Sequence, residues 1–147
     1  MRLKVKTLIL FIFFLIITIY LGNYYRPYVY SNKIDDYGLA DVGYNIIAVV
    51  NMSLFSWLGF YRYTKNKIVD IILNTTLYLS FELISYFISL FGVFDIKDCF
   101  ALLIGGLFSI ILLYLVDKKL YLNDYKRLSL YFPTKNISWK KEVFLKV

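Results

Sequence analysis

Ten consecutive apolar residues, Leu8 to Ile17, follow directly behind the basic start Arg2, Lys4 and Lys6. Such a run offers water nothing to bond. As a helix in lipid it satisfies its backbone internally, and a membrane crossing needs about 20 mostly apolar residues. The first such segment spans about Val5 to Gly22. Three more follow at about Val42–Tyr61, Ile68–Phe91 and Asp98–Val116. The composition agrees. The chain is 60% hydrophobic and 18% charged, whereas soluble domains run near ~45–50% and ~25%. The pattern predicts an all-α membrane protein with four transmembrane helices.

Several classes are excluded at once. Cys99 is the only cysteine and there is no histidine. A disulfide scaffold, a zinc site and a His-based triad therefore lack their ligands. No metal and no cofactor are expected. The first apolar segment exits through Thr18-Ile19-Tyr20 and Leu21-Gly22-Asn23-Tyr24-Tyr25, without a small-residue cleavage site. It reads as an uncleaved signal anchor whose aromatic exit sits at the membrane interface.

Orientation follows from Lys and Arg. Fourteen of the 17 basic residues fall on one side: three before the first span, three between the second and third, and eight in the tail. Arg26, Lys33 and Lys97 fall on the other. This predicts cytoplasmic N- and C-termini. The domain plan is a four-helix bundle over 1–116 and an interfacial tail over 117–147. The tail interleaves Lys and Arg with Tyr121, Tyr125, Tyr131, Phe132, Trp139 and Phe144, and Pro133 divides it. A basic-aromatic segment beside a membrane lies on anionic lipid. The net charge of +7 is thus explained by topology, and no nucleic-acid partner is implied. The outward Tyr24–Tyr30 stretch, with Pro27, reads as a loop hugging the interface.

Ionisable groups within spans cost ~2.5–3.5 kcal/mol or more at mid-bilayer, so each needs a reason. Asp70 lies within a turn of the cytoplasmic end and is expected to reach water. Glu82 lies about 21 Å along its helix from Ile68, too deep for that. Thr75, Tyr78, Glu82, Ser85, Tyr86 and Ser89 share a stripe by their spacing of three and four, predicted to face the bundle interior. The opposite stripe, Leu77, Phe81, Ile84, Ile88 and Phe91, should meet lipid. Asp41 and Asn45 form an i,i+4 pair at the outer start of the second span. Asp95 and Asp98 form an i,i+3 pair at the outer start of the fourth. The topology brings these five side chains together in an acidic, outward-opening cavity, with Arg26, Lys33 and Lys97 near its rim. One of Asp95 and Asp98 is expected to cap its helix, and Asn45 also suits interhelical bonding. Ala101, Gly105 and Ser109, spaced by four, suit close packing within the bundle. Cys99 is expected to be an ordinary buried residue. The Asn-x-Ser/Thr matches at Asn51, Asn74 and Asn136 fall in spans or on the cytoplasmic side.

The run Leu79-Ser80-Phe81-Glu82-Leu83-Ile84 and the later Asp95-Ile96-Lys97-Asp98-Cys99-Phe100-Ala101, closing on Gly105-Gly106, resemble the VanZ-like family. Members show a Glu in one span, then a short turn into an Asp-x-x-Asp start of the next. Asp41-x-x-x-Asn45 resembles the family's upstream Asp…Asn step. The resemblance covers about residues 41–113. The chain departs from it at Val49-Val50-Asn51-Met52-Ser53, where members carry a Pro-x-Gly step, and at Leu102, where members carry Asn. It implies a small multi-span protein of the bacterial cytoplasmic (inner) membrane and cell envelope, in a family named for a member that confers resistance to the lipoglycopeptide teicoplanin.

The resulting expectation is a protein that binds an amphiphile, lipid headgroup or glycopeptide through Glu82 and Asp98, with Asp41, Asn45 and Asp95 shaping the cavity. The alternative is a structural or immunity-type subunit whose polar stripe pairs with another membrane protein. Paired carboxylates also suit acid/base chemistry, but no nucleophile, metal set or phosphate loop accompanies them. A non-catalytic role is expected.

Overall fold

The computed structural model describes residues 3–59, 64–88 and 94–131, whose regular elements are all helices. Helix α1 (Leu3–Tyr20) passes without a break through a π-helical turn (Leu21–Tyr25) into α2 (Arg26–Ser31). Then come α3 (Leu39–Leu58), α4 (Lys67–Phe87), α5 (Ile96–Val116) and α6 (Lys118–Tyr131). Among the described residues, four stretches are long and apolar enough to cross a membrane: Leu3–Ser31, Leu39–Leu58, Lys67–Phe87 and Ile96–Val116. Their outward surfaces suit lipid. Ile9, Ile16, Phe81, Ile104, Leu107 and Ile111 are all exposed, an apolar coat that soluble proteins rarely carry.

The first span corrects the expectation of a loop at Tyr24–Tyr30: the stretch is helical. Pro27 has no N–H, and its ring would clash with the carbonyl four residues back in a regular helix. The chain meets this by widening first. The Arg26 N–H reaches back five residues to the Leu21 carbonyl, and Pro27 falls in the first turn of the segment that follows, where its missing donor costs little.

Sequence chemistry sets the other ends. Asp36 fastens the entry to α3, its carboxylate accepting from the Gly38 and Ala40 N–H groups and from the Tyr25 hydroxyl. Gly38 takes the left-handed conformation there (φ 83°) and Gly59 takes it at the exit of α3 (φ 93°), as helix ends often require. The Asn66 side chain caps α4 by accepting from the Ile68 and Val69 N–H groups. Asp95 caps α5 through Lys97 N–H.

Helix α3 is the centre, packed by α1, α4 and α5. Val49, Val50, Leu54, Ile71 and Leu113 form the dry core. The small residues of α5 make this approach possible. A Cβ on Gly105 would lie 2.5 Å from the Ile46 carbonyl oxygen, and one on Gly106 would lie 2.6 Å from Thr75 Oγ1. The small-residue stripe therefore packs inside the bundle, against both α3 and α4.

Helix α6 packs on α4 and α5. Its Asp124 is buried and accepts from Lys67 N–H, while Asn66 Nδ2 donates to the Asp124 carbonyl. Of the tail aromatics, Phe132, Trp139 and Phe144 lie outside the described residues, as do Pro133, Ser89 and Phe91.

Two further expectations are corrected. Asp70 does not reach water. It is 1% exposed and accepts from the Ser56 hydroxyl and from Thr64 through both N–H and Oγ1. A carboxylate with three donors does not need water to stay satisfied. Tyr86 does not face the interior either. It is 67% exposed, with its ring set edge-on against Phe94.

Candidate functional site

The five polar residues singled out by spacing line one cavity of about 430 Å³, at the end of the bundle where α3 and α5 begin. Helix α3 supplies Asp41 and Asn45 one turn apart, with Tyr44 between them. Helix α4 supplies Glu82, and α5 supplies Asp98 together with its cap Asp95. Arg26 enters from the end of the first span. Because α3 runs opposite to α4 and α5 starts beside the end of α4, three separate helix ends deliver their acids to the same level.

Glu82 is partly buried and fixed. Its Oε1 accepts the Asp95 N–H at 3.0 Å, and Ser85 Oγ donates to the Glu82 carbonyl. The bond joins the last turns of α4 to the cap of α5, so Glu82 and Asp95 cannot drift apart independently. Asp98 is half-buried, facing the Asn45 amide. Asp41 lies further out. Arg26 Nη2 stands 3.2 Å from its Oδ1, with both side chains about half exposed at 49% and 43%. Tyr30 donates its hydroxyl to the same oxygen, and the Arg26 guanidinium sits over the Tyr30 ring. An ion pair this exposed adds little stability. Its structural effect is to tie α2 to the first turn of α3 beside the cavity.

The charge count is unequal. Four acidic side chains meet one guanidinium, and that guanidinium is engaged by the outermost acid. Glu82, Asp95 and Asp98 have no cation within ion-pair distance among the described residues. Carboxylates are acceptors only, and they attract a compact ammonium. Among the described residues no group of three metal-ligating side chains is arranged to hold a metal ion.

Lys33 and Lys97, expected near the rim, are exposed and do not line the cavity. Cys99, expected to be buried, is intermediate in exposure. Sequence reasoning missed Tyr44 and Tyr30. With 15 tyrosines in the chain, neither stands out by type. Tyr44 had a positional signal, lying three residues from Asp41 and next to Asn45.

No family model matches the chain, and comparison with curated proteins and with solved structures found no match.

Proposed function

We propose that this membrane protein binds an amine-bearing headgroup in the acidic cavity and does so without turnover. The observation that carries the reading is the excess of acid: Glu82, Asp95 and Asp98 face one space with no cation paired to them among the described residues. An ammonium about 4 Å from one such carboxylate gains roughly 4 kcal/mol at an effective dielectric near 20, before desolvation is charged against it. The cavity volume of about 430 Å³ suits a headgroup, within the usual ~300–1,000 Å³ of small-molecule sites. The Lys and Arg distribution supports an orientation with the termini in the cytoplasm and the cavity facing outward, and the family resemblance suggests a bacterial inner membrane. The resemblance to the VanZ-like family supports a role in the cell envelope and in resistance to lipid-tailed glycopeptides.

The direct test is titration of the purified protein in lipid nanodiscs with butylammonium, with butyrate as the opposite charge. Saturable butylammonium binding, weakened at least about tenfold by Glu82→Gln, is the expected result. Equal binding of the two ions, or none of either, overturns the reading.

A further inference from the structure

A second space adjoins the acidic cavity. Helices α1 and α4 both pack on α3, but among the described residues they do not pack on each other. Between them the face of α3 is left open as a groove of about 240 Å³. Its walls are Phe11 and Leu15 of α1, Ala48, Met52 and Phe55 of α3, and Tyr78 of α4. The groove is mostly apolar. Its polar floor is tied up in part, because Asn51 Nδ2 donates to Thr18 Oγ1 at 2.6 Å.

Tyr44 joins the two spaces, lining both the acidic cavity and the groove. Its ring lies 3.9 Å from where a Cβ on Gly22 would stand, within the π-helical turn of the first span. From Tyr44 to Phe55 the groove follows α3 for about 17 Å. That is the depth of roughly one leaflet of the ~30 Å hydrocarbon core. The acidic cavity therefore lies at one end of a mostly apolar groove along α3, with Tyr44 on the wall of both.

We infer that the ligand is a single-chain amine amphiphile, with its ammonium among Glu82, Asp95 and Asp98 and its chain passing Tyr44 into the groove between α1 and α4. The inference rests on the reading of the cavity as an amine site and adds the tail and its path. Charge separates this occupant from phospholipids whose headgroups carry no ammonium. A phosphate drawn into the cavity would face the unpaired acids and be repelled, whereas an ammonium is attracted. The groove then holds the chain against fixed side chains, where it makes dispersion contacts that fluid lipid does not hold in place.

The experiment is a chain-length series of butyl-, octyl- and dodecylammonium on the full chain in nanodiscs. Binding is corrected for partition into empty nanodiscs. Wild type is expected to bind dodecylammonium about 30-fold more tightly than butylammonium after that correction. Ala48→Phe and Met52→Trp, both filling the groove, are expected to flatten the series to within about threefold. Two positions are used so that a folding failure at one leaves the other to decide, with monodispersity checked for each. A flat series in wild type overturns the inference while leaving the amine site standing. So does a series that stays steep in a folded groove-filled variant, because the tail then lies elsewhere. Failure of wild type to bind butylammonium overturns the amine reading of the cavity, and the inference falls with it.

Discussion

Glu82 and Asp95 are joined across two helices, the Asp95 N–H donating to Glu82 Oε1 at 3.0 Å. The same glutamate thus has two separable duties, one to the fold and one to the cavity. Glutamine keeps an oxygen at the Oε1 position and loses the charge. Alanine loses both. Glu82→Ala should cost about 1–3 kcal/mol by leaving a partly buried N–H unpaired, whereas Glu82→Gln should stay within about 1 kcal/mol of wild type. Thermal unfolding in one mild detergent ranks the two. Equal melting temperatures for both would mean that the bond contributes nothing to the fold.

Gly105 sets the distance between α3 and α5. A Cβ added there would stand 2.5 Å from the Ile46 carbonyl oxygen, and that oxygen belongs to backbone, which cannot step aside as a side chain can. Gly105→Ala should therefore destabilise the bundle by about 1–3 kcal/mol, the usual cost of overpacking. Gly106→Ala meets Thr75 Oγ1, a side-chain atom that can rotate at the expense of its bond to the Ile71 carbonyl, and should cost less. Melting temperatures of the two variants in parallel decide it, and a Gly105→Ala variant as stable as wild type would contradict the close approach.

Asn74 is fully buried and neither atom of its amide has a partner among the described residues. An unpaired buried polar group costs about 1–3 kcal/mol. Leucine has a similar shape and no polar atoms. Asn74→Leu should raise stability by an amount in that range, seen as a higher melting temperature. A fall instead would show that the amide is satisfied by something that enters the core, such as an ordered water.

Much of this was legible in the residues because the rules involved are local. Apolar runs of membrane-crossing length announce spans without reference to anything distant. Asp41 with Asn45, and Asp95 with Asp98, are fixed by helical spacing, so the topology alone brings them to the level of Glu82. What escaped depends on partners far off in the chain. Asp70 looked ready to reach water, yet its donors come from Ser56 at the end of α3 and Thr64 in the approach to α4. Tyr86 lay on the polar stripe by spacing, but the packing of α4 turns it outward. The helical path through Pro27 was hidden because a π-helical turn leaves no compositional mark.

The resistance reading joins the cavity to a phenotype and is tested in cells. A glycopeptide-sensitive bacterium expressing wild type should tolerate more teicoplanin than one with empty vector, by at least about fourfold in inhibitory concentration if binding at the outer face removes drug from its target. Glu82→Gln should abolish the protection while inserting normally, because it keeps the acceptor for Asp95 N–H and removes a charge from the cavity. Ala48→Phe provides a second arm, since it fills the groove and leaves every acid in place. Loss of protection in both variants would tie resistance to headgroup and tail together. Loss in Glu82→Gln alone would confine it to the cavity. Equal susceptibility of wild type and empty vector, with wild type shown to be in the membrane, would separate this protein from glycopeptide resistance.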